Sequence, residues 1–165
     1  MKARVAFYKH TKKIHNAIIS LWTWPFNLKT PPYSHVEIGI PGEEGWIYFS
    51  STNRDGAHGT RWISEENLFK HKDRWDVYEI DVVYIEAMVI RANGMLGSQY
   101  DWAGIFGFIT PFGLINSRKK WYCSEACHKV LTGIWKRRIS PRRFYSYINR
   151  NFNSSIRMVS DEKNT

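Results

Sequence analysis

Apolar and polar residues alternate over Arg4–Tyr8, with Val5 and Phe7 on one side, and this predicts a short strand. Residues 12–23 instead repeat at helical spacing through Ile14, Ile18 and Leu21, a helix that Pro25 and then Pro31-Pro32 end. From His35 to Ile40 the alternation returns, with Val36, Ile38 and Ile40 on one face and His35 and Glu37 on the other. Pro41-Gly42-Glu43-Glu44-Gly45 reads as a turn and Trp46–Ser51 as a return strand, so residues 35–51 predict a hairpin. A loop follows over Arg54-Asp55-Gly56 and His58-Gly59, and Trp75–Asp81 adds another strand. Residues 84–96 fit a helix ended near Gly94 or Gly97. Residues 100–115 are apolar but broken by Gly104, Gly107, Pro111 and Gly113, a pattern for a short helix and a loop. A further helix spans 123–136, with Val130, Leu131 and Ile134 inward, and Pro141–Ile148 gives a last short one. The order β-α-β-β-β-α-α predicts an α+β fold with an antiparallel sheet packed against helices. Residues 1–150 form one domain in this reading, and 151–165 a polar, frayed C-terminal tail.

Length and composition narrow the classes. A chain of 165 residues, 43% apolar and 16% aromatic, buries a core without staples and is not globally disordered. Two cysteines exclude a disulfide-built scaffold. No apolar run reaches the roughly 18 residues of a membrane span. Lys9, Lys12 and Lys13 interrupt the start, and no small-residue cleavage site follows Ala17 to Phe26, so the expectation is cytoplasmic synthesis without a signal peptide. The net charge is +9, unevenly placed: residues 1–30 carry six Lys/Arg and no acid, and residues 118–150 carry ten Lys/Arg against Glu125. A solvated surface explains this, and so does an anionic partner such as a wall polymer, a lipid head group or a nucleic acid. Trp135-Lys136-Arg137-Arg138 and Pro141-Arg142-Arg143-Phe144-Tyr145 mix basic and aromatic side chains, but no standard nucleic-acid motif accompanies them.

Candidate chemistry concentrates at Trp121-Tyr122-Cys123-Ser124-Glu125. Cys123 opens a predicted helix, where backbone amides and the helix dipole favour an anion and lower a thiol pKa. No base lies nearby in sequence. His35, at the start of a strand, is the best donor from elsewhere in the fold. Such a Cys-His pair performs nucleophilic acyl chemistry. The plainer readings are a small buried Cys123, a buried Cys127 and a structural His35. Cys123 and Cys127 with His128 are also conceivable metal ligands, but no full tetrahedral set is visible, and neither metal nor cofactor is expected.

Ser34-His35-Val36-Glu37-Ile38, followed far downstream by Trp121-Tyr122-Cys123-Ser124-Glu125, resembles the circularly permuted branch of the NlpC-like papain-fold thiol hydrolases. This branch includes the YiiX-like and lecithin:retinol acyltransferase-like proteins, and its histidine precedes its cysteine, as here. Ala6-Phe7-Tyr8-Lys9, Pro32-Tyr33-Ser34-His35, Phe49-Ser50-Ser51 with Arg54-Asp55-Gly56, and Tyr100-Asp101-Trp102 with Gly104 resemble small members from phages and prophages. The resemblance implies a permuted papain-like fold with Cys123 as nucleophile at a helix N-terminus and His35 as general base and acid. It also implies a third residue that orients the histidine, often a carboxylate on the next strand. That position falls near Ser50 in this chain. Glu37 could replace it, although a neighbour two residues on is not ideally placed to reach the imidazole and could instead bind Arg54 or Arg61. Tyr100 is a candidate for lining the site or assisting an oxyanion. The implied activity is a cysteine peptidase or amidase on bacterial cell-wall peptides, acting in a phage virion or the host envelope. The alternatives are a non-enzymatic phage structural or host-interaction protein on the same scaffold, and a thiol acyltransferase or lipid esterase with Trp22, Trp24, Pro25 and Phe26 as an apolar lid.

Overall fold

The computed structural model describes residues 1–9, 33–53, 56–101, 120–137, 139–152 and 157–159. Five full strands are β1 (Lys2–Lys9), β2 (Tyr33–Gly42), β3 (Gly45–Thr52), β4 (Gly59–Ser64) and β5 (Trp75–Asp81). Three two-residue strands complete the sheet: β6 (Gln99–Tyr100), β7 (Lys120–Trp121) and β8 (Arg157–Met158). The helices are α1 (Glu65–Leu68), α2 (Ile85–Asn93), α3 (Cys123–Thr132) and α4 (Pro141–Asn151). The strand order is β7-β6-β4-β3-β2-β1-β5-β8, antiparallel throughout except for the β6–β7 pair. This is the expected α+β class, with a mostly antiparallel sheet against helices.

Alternation along the central strands sends side chains to two cores. On one face Val5, Phe7, Val36, Ile38 and Phe49 pack with Met88 and Ala92 of α2, Ala126 and Val130 of α3, and Phe144 and Ile148 of α4. On the other, Ala6, Tyr48 and Trp75 pack with Leu68 and Phe69 at α1. Each large apolar side chain buried this way contributes about 1.5–3 kcal/mol, which fixes the register of β1, β2 and β3. Because both faces are covered, β2 is buried from Tyr33 to Ile40.

The predicted hairpin, β1, β5, α2 and α4 all form. The Ser140 hydroxyl accepts from the Arg143 amide and Pro141 occupies the first turn of α4, a start readable from the sequence. The helix predicted over 123–136 is shorter. It stops at Thr132 because Gly133 takes a left-handed conformation, φ 77°, and accordingly Ile134 is 66% exposed rather than inward. Of residues 151–165, Asn151 ends α4, and Arg157–Met158 form β8, which pairs with β5. The predicted helix over 12–23, the apolar lid and most of 100–115 lie outside the described residues.

One glycine is needed for contact rather than backbone freedom. A Cβ on Gly39 would stand 2.6 Å from Cε1 of the Tyr48 ring. Gly39→Ala is expected to cost about 1–3 kcal/mol as the buried ring is forced aside, read as a lower urea midpoint with unchanged m.

Candidate active site

His35 lies where two neighbouring strands part. β2 and β3 are paired only from Ile38↔Phe49 to Gly42↔Gly45, although β2 begins at Tyr33 and β3 runs to Thr52. β2 stays paired with β1, through a bulge between Tyr8 and Lys9. Helix α3 packs on both β2 and β3. Its Cys127 Sγ stands in the parting, 3.5 Å from the Val36 carbonyl oxygen, 3.6 Å from that of Phe49 and 3.9 Å from Ser50 Oγ. The Ser50 hydroxyl donates to the Val36 carbonyl at 2.7 Å, and the Ser51 hydroxyl to the Trp121 carbonyl at 2.6 Å. The Ser50 hydroxyl thus satisfies a β2 carbonyl where its ladder with β3 has ended. The Ser51 bond to Trp121, two residues before α3, puts the N-terminus of that helix toward Ser51. Cys123, one turn before Cys127, therefore sits further along the parting, at the same end of the sheet as His35.

Three side chains form a charged relay beside it. His35 Nε2 is 2.9 Å from Glu37 Oε1. Arg61, presented by β4, donates from Nη1 to Glu37 Oε2 and from Nη2 to Glu37 Oε1, both at 2.8 Å. Glu37 is fully buried and the His35 side chain is only 5% exposed. A carboxylate only accepts, so the bond places a proton on Nε2 and, in the neutral ring, the lone pair on Nδ1. In that tautomer Nδ1 is the ring nitrogen able to accept a proton. Burial pushes the Glu37 carboxyl up, but the Arg61 charge and the hydrogen bonds from His35 and Arg61 outweigh it and hold the group at about 2, below its ordinary 4.5. Because the folded value is the lower one, this stabilisation is complete above about 4.5 and is lost as pH falls toward about 2. Urea unfolding measured across that window should show stability falling with acid, and Glu37→Gln should flatten the slope.

The carboxylate hydrogen-bonded to His35 is Glu37, two residues on in the same strand, and not a residue near Ser50. The distance objection to a residue two positions on does not hold, because the relay geometry closes at hydrogen-bond length. Ser50 gives its hydroxyl proton to the backbone instead. Glu37 does both things the sequence offered as alternatives, holding His35 and Arg61 together.

Faces matter here. Directly paired residues share a face, so His35 opposite Tyr8 and Glu37 opposite Ala6 belong to the side of Tyr48 and Trp75. The His35 and Trp75 rings are 6.2 Å apart. Helix α3 covers the other side, with Val36 and Ile38. His35 and α3 thus belong to opposite faces of β2, and beyond Ile38↔Phe49 no ladder joins β2 to β3.

Cys123 is fully buried at the first position of α3. Tyr122, which precedes it, makes no side-chain cap, so no oxygen from that residue offsets the positive end of the helix dipole. The Ser124 hydroxyl donates to the Ile139 carbonyl at 2.5 Å and ties the start of α3 to the segment before α4. Tyr100 is half-buried on β6, in register with Trp121, and its ring lies 6.2 Å from that of Tyr122. Cys127 is a different kind of thiol: burial, reinforced by the neighbouring Cys123 and Glu37, pushes its pKa well up, which makes it a poor nucleophile. His128 Nδ1 is 3.0 Å from the Ile134 carbonyl oxygen. Among the described residues no group of three or more His, Cys, Asp and Glu stands close enough to hold a metal.

Arg61 and Trp75 are the members that sequence reading underweighted. The signal for Arg61 was present, since Gly59–Ser64 alternates around Trp62, but six residues between a loop and a polar stretch gave little to fix a strand. No family model matches the chain, and no curated protein matches it. Function is therefore read from the site itself. No helix among the described residues is long and apolar enough to cross a membrane.

Proposed function

We propose that this protein is a cysteine hydrolase of the permuted papain-like kind, with Cys123 as nucleophile, His35 as base and acid, and Glu37 as the residue that orients His35. The observation that carries the reading is the His35–Glu37 hydrogen bond at 2.9 Å, which orients a buried imidazole at the sheet end where α3 begins with Cys123. In this mechanism His35 takes the Cys123 proton and the sulfur attacks a carbonyl carbon. The oxyanion is met by the Cys123 backbone amide, with Tyr100 flanking it. The imidazolium then protonates the leaving amine, and the acyl-enzyme is hydrolysed by a water that His35 activates. The substrate class we assign is an amide in bacterial cell-wall peptides, which suits a chain of net charge +9 meeting an anionic wall. Purified protein incubated with muropeptides should release a new amine that Cys123→Ala does not release. Absence of turnover across muropeptides, with Cys123 intact and titratable, would count against the reading.

A second reading has its own support. Cys123 is 0% exposed and Glu37 is neutralised by Arg61, features of a structural centre as much as of a reactive one. On that reading the scaffold is a non-enzymatic phage or host-interaction protein, and partner capture is unchanged by Cys123→Ala.

A further inference from the structure

We infer that Arg61 is a positioning residue whose charge keeps the His35–Glu37 pair from taking up an extra proton near neutral pH. The geometry is specific. Both Arg61 donors end on Glu37, one on each carboxylate oxygen, and Oε1 is shared with His35 Nε2. Glu37 has a side chain 1% exposed, so water does not screen it, while Arg61 is 20% exposed and reaches it from β4. A carboxylate beside a histidine favours the imidazolium. A guanidinium on that same carboxylate offsets its charge and repels a protonated ring. The orienting hydrogen bond is kept and the basicity it would induce is restrained, leaving a neutral His35 with its lone pair on Nδ1.

Among the described residues, the other charged and titratable groups near the pair have partners of their own or are neutral. From β1, the Tyr8 hydroxyl receives Arg74 Nη1 at 3.4 Å, and Lys9 is paired with Asp76 at 2.8 Å. From β3, the Tyr48 phenol has its ionisation pushed up, by burial first and then by Glu65, and is neutral. Beyond it Arg4 is paired with Glu65 at 2.9 Å. From α3, Cys127 is held as a neutral thiol and Cys123 is the thiol assigned as nucleophile. Among the described residues, Arg61 is the cation that ends on Glu37 itself.

The test is an NMR titration of the His35 ring in a Cys123→Ala background, which removes any thiolate contribution and needs no substrate. The pair titrates as a unit, so the reading is its apparent pKa. Arg61→Met is expected to raise that value by about one unit or more, and Arg61→Lys, which keeps the charge but not the two-pronged contact, to restore most of the difference. An unchanged titration in Arg61→Met would overturn the inference. If Arg61→Met does not fold, Arg61→Lys decides: a value within a few tenths of the parent supports a charge effect, and a full-unit rise contradicts it. A protein that hydrolyses nothing can still pass or fail this test, so its outcome is separable from that of the proposed activity.

Discussion

Replacing Cys123 by alanine is expected to lower amide turnover by at least about a thousandfold while leaving the fold intact. The chemical step needs a covalent acyl intermediate, and no other thiol in the chain can form it. Cys127 is the only other cysteine in the sequence, and its burial and contacts with the Val36 and Phe49 carbonyls hold it as a neutral thiol within the core. The structural cost is small, because alanine removes one sulfur from a site already packed by Ala126 and its neighbours. A loss of about 1–2 kcal/mol, a few degrees in Tm for a chain of this size, is the expected scale. Activity assayed alongside thermal unfolding checks both halves. Turnover that survives in Cys123→Ala would remove the nucleophile from the account.

Glu37→Ala is expected to be the most destabilising change in the site. It leaves Arg61 and a buried His35 facing a vacated pocket, with three hydrogen bonds gone at once. Removing one partner of a buried ion pair typically costs about 3–5 kcal/mol, because the remaining charge keeps its desolvation penalty. Tm should fall by roughly 10 °C. Glu37→Gln keeps the shape and part of the hydrogen bonding, so it should lose less. The ranking wild type, then Gln, then Ala distinguishes an electrostatic keystone from a space-filling side chain. Equal stability of all three, measured by urea unfolding at pH 7, would show that Arg61 and His35 find adequate partners without Glu37.

Much of this site could be read before any coordinates, and the reasons are local. Alternation across His35–Ile40 placed His35 and Glu37 together on one face, since a strand allows no other arrangement. The start of α3 at Cys123 was legible from the apolar spacing that follows it. Its end was not. Val130, Leu131 and Ile134 fit a helical stripe, but Gly133 adopts the left-handed conformation and turns Ile134 outward. Non-local facts were hidden for a different reason. Where β2 and β3 part beyond Ile38↔Phe49, Cys127 of α3 reaches the Val36 and Phe49 carbonyls, a tertiary contact with no signature in either strand. The Arg61 contact depended on β4 pairing with β3, and Ser50↔Arg61 is a register, not a motif. Ser50 occupied the position where the resemblance led one to look for a carboxylate, yet its hydroxyl serves the Val36 backbone.

The central claim, that Cys123 is activated by His35 across the parting of the strands, is tested most directly by iodoacetamide labelling of native protein. Labelling is followed site by site by mass spectrometry as a function of pH, in wild type and in His35→Ala. The account predicts that Cys123 labels well below the free-thiol pKa of about 8.5, that His35→Ala slows it at least about tenfold, and that Cys127 labels slowly in both. Slow labelling of both cysteines, unchanged by His35→Ala, would contradict it.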